Sequence, residues 1–222
     1  MATSLLDRRR IMQATGGGCP YIEDGLIMWW DGIEKGNVAN AWVDQIQGLT
    51  LLCDKGTPIF GDKYIESVYG DNLRMVLGDT RLYPNTIYSL EVCISKQQRS
   101  GYGEVFTTYG NRSDRPDGIR IAVNGTVLIY GQISGAKYNA LTYNNDVNTI
   151  HTHAGLMRMN KQNCAQNGTD WWNSSIFGAF NLQGNTNYAF NGKIYSIRMY
   201  NRHLTTDEID FNTDADTLRF GS

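Results

Sequence analysis

Residues Ala189 to Asp210 read AFNGKIYSIRMYNRHLTTDEID, and this stretch decides the fold. Ile194, Ile197, Met199 and Tyr200 are apolar or aromatic, with Lys193, Ser196, Arg198 and Asn201 between them. The alternation has the two-residue period of a strand with unlike faces. It slips by one place near Tyr195, where both faces are partly apolar. Asn191-Gly192 is a turn dipeptide, so the run predicts a long strand entered from a tight turn. Thr205 or Thr206 can then cap a short helix, with Asp207 and Glu208 in a first turn where the helix dipole favours negative charge. The expectation is one short helical turn closing the domain.

The same residues carry a family resemblance. Phe190, Gly192, Ile194, Ile197, Arg198, Tyr200, Asn201, Arg202, Leu204, Thr205, Glu208 and Ile209 follow the pattern F-x-G-x-I-x-x-(I/V)-R-x-Y-N-R-x-L-(S/T)-x-x-E-I. This resembles the closing segment of laminin-G-like jelly rolls in the concanavalin A-like lectin/glucanase superfamily. The opening does too: Gly25-Leu26-Ile27-Met28-Trp29-Trp30-Asp31 is followed by Trp42-Val43-Asp44-Gln45-Ile46-Gln47-Gly48. The resemblance brackets the chain from about Gly25 to Ile209 and implies an antiparallel two-sheet β-sandwich. It implies little about activity, because one fold hosts many functions.

Between these ends, strands are expected near Tyr64 to Val68, Leu73 to Leu77, Thr86 to Ile94, Glu104 to Tyr109, Gly118 to Val123 and Thr126 to Ile133. Asn148 to Met159 reads as one further long strand, with Ile150, Thr152, Ala154 and Leu156 on one face. A hairpin is expected over Arg158 to Thr169, and Ser175 to Asn181 supplies a penultimate strand. Asn124-Gly125 marks a two-residue hairpin. The 24 glycines and 13 tyrosines with only 4 prolines fit an all-β chain of many turns and half-buried strands.

A net charge of −2 excludes bulk attraction to nucleic acid, and no stretch is long and apolar enough to span a bilayer. Cys19, Cys53, Cys93 and Cys164 lack metal-site or disulfide-framework spacing, so free thiols are expected. No signal-peptide run precedes the domain, so Asn111, Asn124, Asn167 and Asn173 read as surface-loop residues rather than glycosylation sites.

Residues 1–20 divide from residues 21–222. Leu5, Leu6, Arg8, Arg9, Arg10, Ile11 and Met12 form a basic, amphipathic arm, and Gly16-Gly17-Gly18 make a hinge. A disordered terminus is the plain reading, and an attachment arm that orders on a partner is the sharper one. Short openings of this kind before a sandwich resemble structural proteins of gut bacteriophages and prophages.

Glycoside hydrolysis needs two carboxyls about 5–9 Å apart. The retaining enzymes of the superfamily place them as Glu-x-Asp-x-x-Glu on one strand. Here Cys93 stands two places after Glu91, and Phe106 two places after Glu104. His151 and His153 point to one strand face and could ligate zinc or copper, but no third ligand is visible, and a polar sheet face is the plainer reading. No cofactor is expected. Calcium, common in related jelly rolls, has candidate ligands in Asp31, Asp44, Asp54, Asp214 and Asp216, for which solvated turn residues are the plainer reading. Glycan binding pairs aromatic platforms with amides and carboxylates. Loop segments of that type carry Tyr138, Tyr143 and Asn145, and Asp170, Trp171, Trp172 and Asn173. Core or interface packing is the plainer reading of Trp171 and Trp172, while Trp29 and Trp42 lie in apolar strand patterns and read as core.

The resulting expectation is a non-enzymatic virion protein, made in the host cytoplasm. It would be a homo-oligomeric capsid decoration, head fibre or tail-associated jelly roll held to other virion proteins by its arm and able to touch host polysaccharide. The alternative is a carbohydrate-binding or adhesion module, with a glycoside hydrolase third.

Overall fold

A computed structural model describes residues 18–36, 38–68, 71, 73–77, 89–96, 102–109, 119–124, 127–132, 135–142, 146–153, 156–164, 176–180 and 189–221. Its strands, in chain order, begin with β1 (Leu26–Asp31), β2 (Ala41–Val43), β3 (Thr50–Lys55), β4 (Ile59–Phe60), β5 (Ile65–Ser67), β6 (Arg74–Leu77), β7 (Ser89–Ile94) and β8 (Tyr102–Tyr109). They continue with β9 (Ile119–Asn124), β10 (Val127–Gln132), β11 (Gly135–Thr142), β12 (Asn148–His153), β13 (Leu156–Met159), β14 (Gln162–Cys164), β15 (Ile176–Ala179) and β16 (Gly192–Tyr200). One helix, α1 (Thr206–Phe220), comes after them.

The strands form two antiparallel sheets. The first runs β14-β13-β12-β7-β16-β5-β4, with β1 also on β16, and the second runs β11-β10-β9-β8-β15-β6-β3-β2. The chain is an all-β sandwich, as its sequence pattern implies. Strand β16 is the axis of the first sheet. It pairs with β7 along one edge, and with β5 and then β1 along the other. The slipped alternation is a β-bulge: Ile194 pairs with Ile94 and Ser196 with Cys93, leaving Tyr195 as the extra residue. The bulge lets Ile194, Ile197 and Met199 all enter the core between the sheets, where they meet Met28, Trp30, Trp42, Val92 and Met75. Beside it the backbone closes in. A Cβ on Gly32 would lie 2.2 Å from the Lys63 carbonyl oxygen and 2.6 Å from that of Tyr195, so only glycine fits there.

Trp42 is wholly buried in this core, whereas Trp29 joins Tyr21 and Ala215 in a second cluster on the far side of the first sheet. Cys19 packs against that second cluster.

Several expectations need correction. The segment read as a single strand from Asn148 to Met159 is a hairpin, because His153 pairs back on Leu156 and Ile150 on Met159. A second turn at Asn160 and Lys161, both with positive φ (47° and 68°), leads into β14. Tyr138, expected in a loop, lies in strand β11 opposite Ile129. Strand β4 has no sequence signal, being only two residues long. The expected Asn124-Gly125 hairpin is present in the register, where Asn124 faces Val127.

The closing turn is also a 15-residue helix rather than a single turn. Thr205 caps it: its side chain accepts from the Glu208 amide, and the Glu208 carboxylate accepts from the Thr205 amide. Thr205→Ala is expected to cost about 1 kcal/mol in chemical denaturation, with Thr205→Ser close to neutral. Arg202 grips Glu208 with two hydrogen bonds of 2.9 and 2.8 Å and holds its carboxyl down at about 2. Among the described residues no helix is long and apolar enough to cross a membrane.

Candidate functional site

Among the described residues, the densest chemistry lies on the outward face of the first sheet. Register sets it out in rows across the strands. One row runs Arg158, His151, Glu91, Arg198, Trp29 across β13, β12, β7, β16 and β1. The row beside it runs Leu156, His153, Ser89, Tyr200, Leu26, and on the other side stand Thr149, Cys93, Ser196 and Asp31. A face this polar is expected to meet water. Instead α1 lies on it, and Glu91, His151, Arg198, Ser196 and Asp216 are all buried.

The helix is held by complementary charge. Arg198 donates to Glu91 at 2.9 Å and to both oxygens of Asp216 at 2.6 and 2.7 Å, while its guanidinium stacks 3.8 Å from the Tyr21 ring. The Tyr21 hydroxyl donates to Asp216, and the Asn212 amide donates to Glu91. Around this centre Arg158 pairs with Asp210, Lys161 with Asp214, and Arg219 with Asp31. Asp210 and Asp216 of α1 thus find their cations on the sheet, in Arg158 and Arg198. Burial by itself pushes the Glu91 carboxyl up, but Arg198 and His151 outweigh it and hold the group below its ordinary value. Burial likewise works against the charged Arg198, yet Asp216 and Glu91 raise it well above its usual range.

At one end this network continues through the histidines. Glu91 Oε1 lies 3.1 Å from His151 Nδ1, and His151 Nε2 lies 2.9 Å from His153 Nδ1. The His153 ring stacks on His203, with centroids 4.6 Å apart and planes within 8°. The His151–His153 pair thus stands on a polar sheet face that is buried. No group of three or more His, Cys, Asp or Glu among the described residues is arranged to hold a metal ion.

The calcium candidates are likewise engaged by protein donors. Asp44 accepts from the Trp29 and Gln47 amides and closes the turn after β2. Asp31 accepts from the Ile33 amide and from Arg219, and Asp54 is paired with Arg74. Both acids considered for glycoside cleavage, Glu91 and Glu104, are fully buried.

Of the residues proposed for glycan contact, Tyr138 stands in β11, an edge strand of the second sheet. Tyr143, Asn145, Asp170, Trp171, Trp172 and Asn173 lie outside the described residues, as do Leu5, Leu6, Arg8, Arg9, Arg10, Ile11 and Met12 of the arm. The second sheet carries no helix on its outward face among the described residues. There Leu52, 43 % exposed, neighbours Val76, and Arg74 lies bidentate on Asp54.

No protein-family profile matches the chain, and no curated protein matches it. Solved structures do. Trypanosoma rangeli sialidase in complex with sialic acid superposes on 88 % of this chain with a TM-score of 0.67 at 11 % identity. A mutant of that sialidase displaying trans-sialidase activity covers 95 % of the chain with a TM-score of 0.65 at 12 % identity. The binding domain of botulinum neurotoxin serotype D/C covers 86 % with a TM-score of 0.59 at 13 % identity. The chain spans about a third of the sialidases (33 % and 35 %) and 52 % of the toxin domain. At these identities the likeness establishes the β-sandwich fold.

Proposed function

We propose that this chain is a carbohydrate-binding β-sandwich that recognises a glycan without cleaving it. The observation that carries this reading is the superposition of nearly the whole chain on part of a sialidase solved with sialic acid, joined by a toxin binding domain. The covered face of the first sheet supports it further. With α1 closing that side, ligand access falls to the outward face of the second sheet and its flanking loops. Both candidate acids for hydrolysis are enclosed, which supports binding without turnover.

This reading takes the place of the virion expectation. That expectation rested on the basic arm, and the structural neighbours favour the carbohydrate-binding alternative.

The test is a glycan array carrying sialylated and neutral oligosaccharides, probed with the full chain and with a Trp171→Ala/Trp172→Ala variant. Binding to at least one glycan class is expected, weakened roughly tenfold or more in the variant, or about 1.4 kcal/mol. An array without any bound glycan would overturn the reading, and equal binding by both proteins would remove the two tryptophans from the site.

A further inference from the structure

Among the described residues, Leu218 is the most exposed large apolar side chain, at 54 %. It ends a stripe on α1. Phe211, Ala215 and Leu218 stand at i, i+4 and i+7, on one side of the helix. Phe211 is buried, Ala215 is packed against Cys19, Tyr21 and Trp29, and the stripe comes into the open only at its last member. Ile33, 41 % exposed, is tied to the same place: its amide donates to one oxygen of Asp31, and Arg219, next to Leu218, donates to the other. Two open apolar side chains thus flank one ion pair between β1 and the last turn of α1.

The polar groups beside this patch are incomplete. Trp29 Nε1 and Arg219 Nε are both buried, and neither has a hydrogen-bond acceptor among the described residues. They are neighbours, because the Arg219 guanidinium lies 5.8 Å from the Trp29 ring and 5.8 Å from that of Tyr21. An enclosed N–H without an acceptor is costly, so two of them at one place mark a surface to be covered by something that brings acceptors.

The chain itself leads there. The described residues begin at Gly18. Followed backwards, the Ile22 amide donates to Asn212, the Tyr21 hydroxyl to Asp216, and Cys19 packs at Ala215, so the segment runs toward the C-terminal end of α1. Burial raises the Cys19 thiol above its ordinary value, against the Tyr21 amide, and Glu23, Arg198 and Arg219 are the charges it feels. We propose that residues 5–12, which lie outside the described residues, fold back onto the Ile33–Leu218 patch of their own chain, with Gly16-Gly17-Gly18 supplying carbonyl oxygens to Trp29 and Arg219.

Reach, composition and charge select this occupant. Residues 13–18 can span up to about 20 Å, whereas Leu218 stands only about 4.5 Å along α1 from Ala215, where Cys19 packs. Glycine backbone can bring carbonyls close to two enclosed donors, having no side chain in the way. Leu5, Leu6, Ile11 and Met12 are too few to form a core alone, and the patch offers them apolar surface. Glu34, next to Ile33, and Glu23, near Cys19, are exposed acids for Arg8, Arg9 and Arg10. A tethered segment also meets the patch at an effective concentration on the order of mM. The arm is then the last covering layer of α1 rather than a tether to another molecule. The docking is independent of the carbohydrate reading.

Trypsin tests it through the arm's own arginines. In the full chain at low micromolar concentration, cleavage after Arg8, Arg9 and Arg10, followed by mass spectrometry, is expected to be at least roughly tenfold slower than in a synthetic peptide of residues 1–18, because cutting follows the undocked population. Ile33→Gln/Leu218→Gln removes the apolar seat without adding charge, and should restore cleavage to within about twofold of the peptide. Leu52→Gln, a comparably exposed change on the second sheet, should leave the arm as protected as in the wild type. The urea midpoint checks that each variant folds, and Leu218→Gln alone, expected in between, serves should the pair not fold. Wild-type cleavage at the peptide rate, undiminished protection in the double variant, or an equal loss in Leu52→Gln would each overturn the docking. So would protection that rises with protein concentration, which assigns the patch to a second copy.

Discussion

Arg198→Met is expected to destabilise the protein by about 3–5 kcal/mol, read as a lowered midpoint in urea at an unchanged slope. The length of the side chain is kept, so little is lost to packing. What is lost is the one cation shared by Glu91 and Asp216, which leaves two fully buried carboxylates without it. Removing the charges instead of unpairing them separates these effects. Glu91→Gln/Arg198→Met/Asp216→Asn is expected to recover part of the loss, since neutral amides are far cheaper to bury than ions. The difference between Arg198→Met and wild type should also narrow in acid. Glu91 titrates lower in the folded than in the unfolded state, so its contribution is present above its unfolded value near ~4.3 and is lost as pH falls through its folded one. A loss in Arg198→Met below about 1 kcal/mol would mean that Tyr21, Asn212 and the surrounding apolar contacts hold the helix without the ion pairs.

Trp42→Ala is expected to cost a similar amount, about 3–5 kcal/mol, by a different route. Trp42 lies in β2 at the edge of the second sheet, fully buried in the core, and its indole donates at 2.8 Å to the Asp31 carbonyl in β1 of the first sheet. It therefore joins the two layers by shape and by a hydrogen bond. Truncation leaves a cavity and an unpaired carbonyl, whereas Trp42→Phe keeps much of the packing and should cost about 1–2 kcal/mol. Thermal or urea denaturation of the two variants checks the order. Equal losses would place the whole effect in the hydrogen bond.

The fold was readable where the physics is local. The bulge at Tyr195 is visible as a slip in a two-residue period, and the capping box as Thr205 with Glu208 three places on. The length of α1 was not, because Asp210, Asn212, Thr213, Asp214, Asp216 and Thr217 are poor helix formers. Their worth lies in partners such as Arg158 and Arg198, which are distant in sequence. The hairpin at His153 and Leu156 was hidden because the apolar pattern runs on through it. Glu91 was read as half of an absent acid pair, when its position opposite His151 and Arg198 makes it the hub of a buried network. A lone acid inside the otherwise apolar run Leu90–Ile94 was the available signal. Tyr138, considered for glycan contact in a loop, lies in β11, which adds to the sheet by backbone pairing and whose mixed composition gives no period.

The placement of β16 has a bearing on how the chain is assembled. Its neighbours β1, β5 and β7 come from the first half of the sequence, and the strand that joins them arrives near the end. Until residues 192–200 are in place, three strand edges rich in Trp, Ile, Leu and Val stand open, and the pairing that closes them spans long loops of high contact order. The nascent first half is thus a mutually sticky fragment waiting for its middle strand. Synthetic or proteolytic pieces that stop short of Ala189 are the ones that would self-associate, and a peptide supplying Ala189 to Phe220 in trans is the natural complement to them.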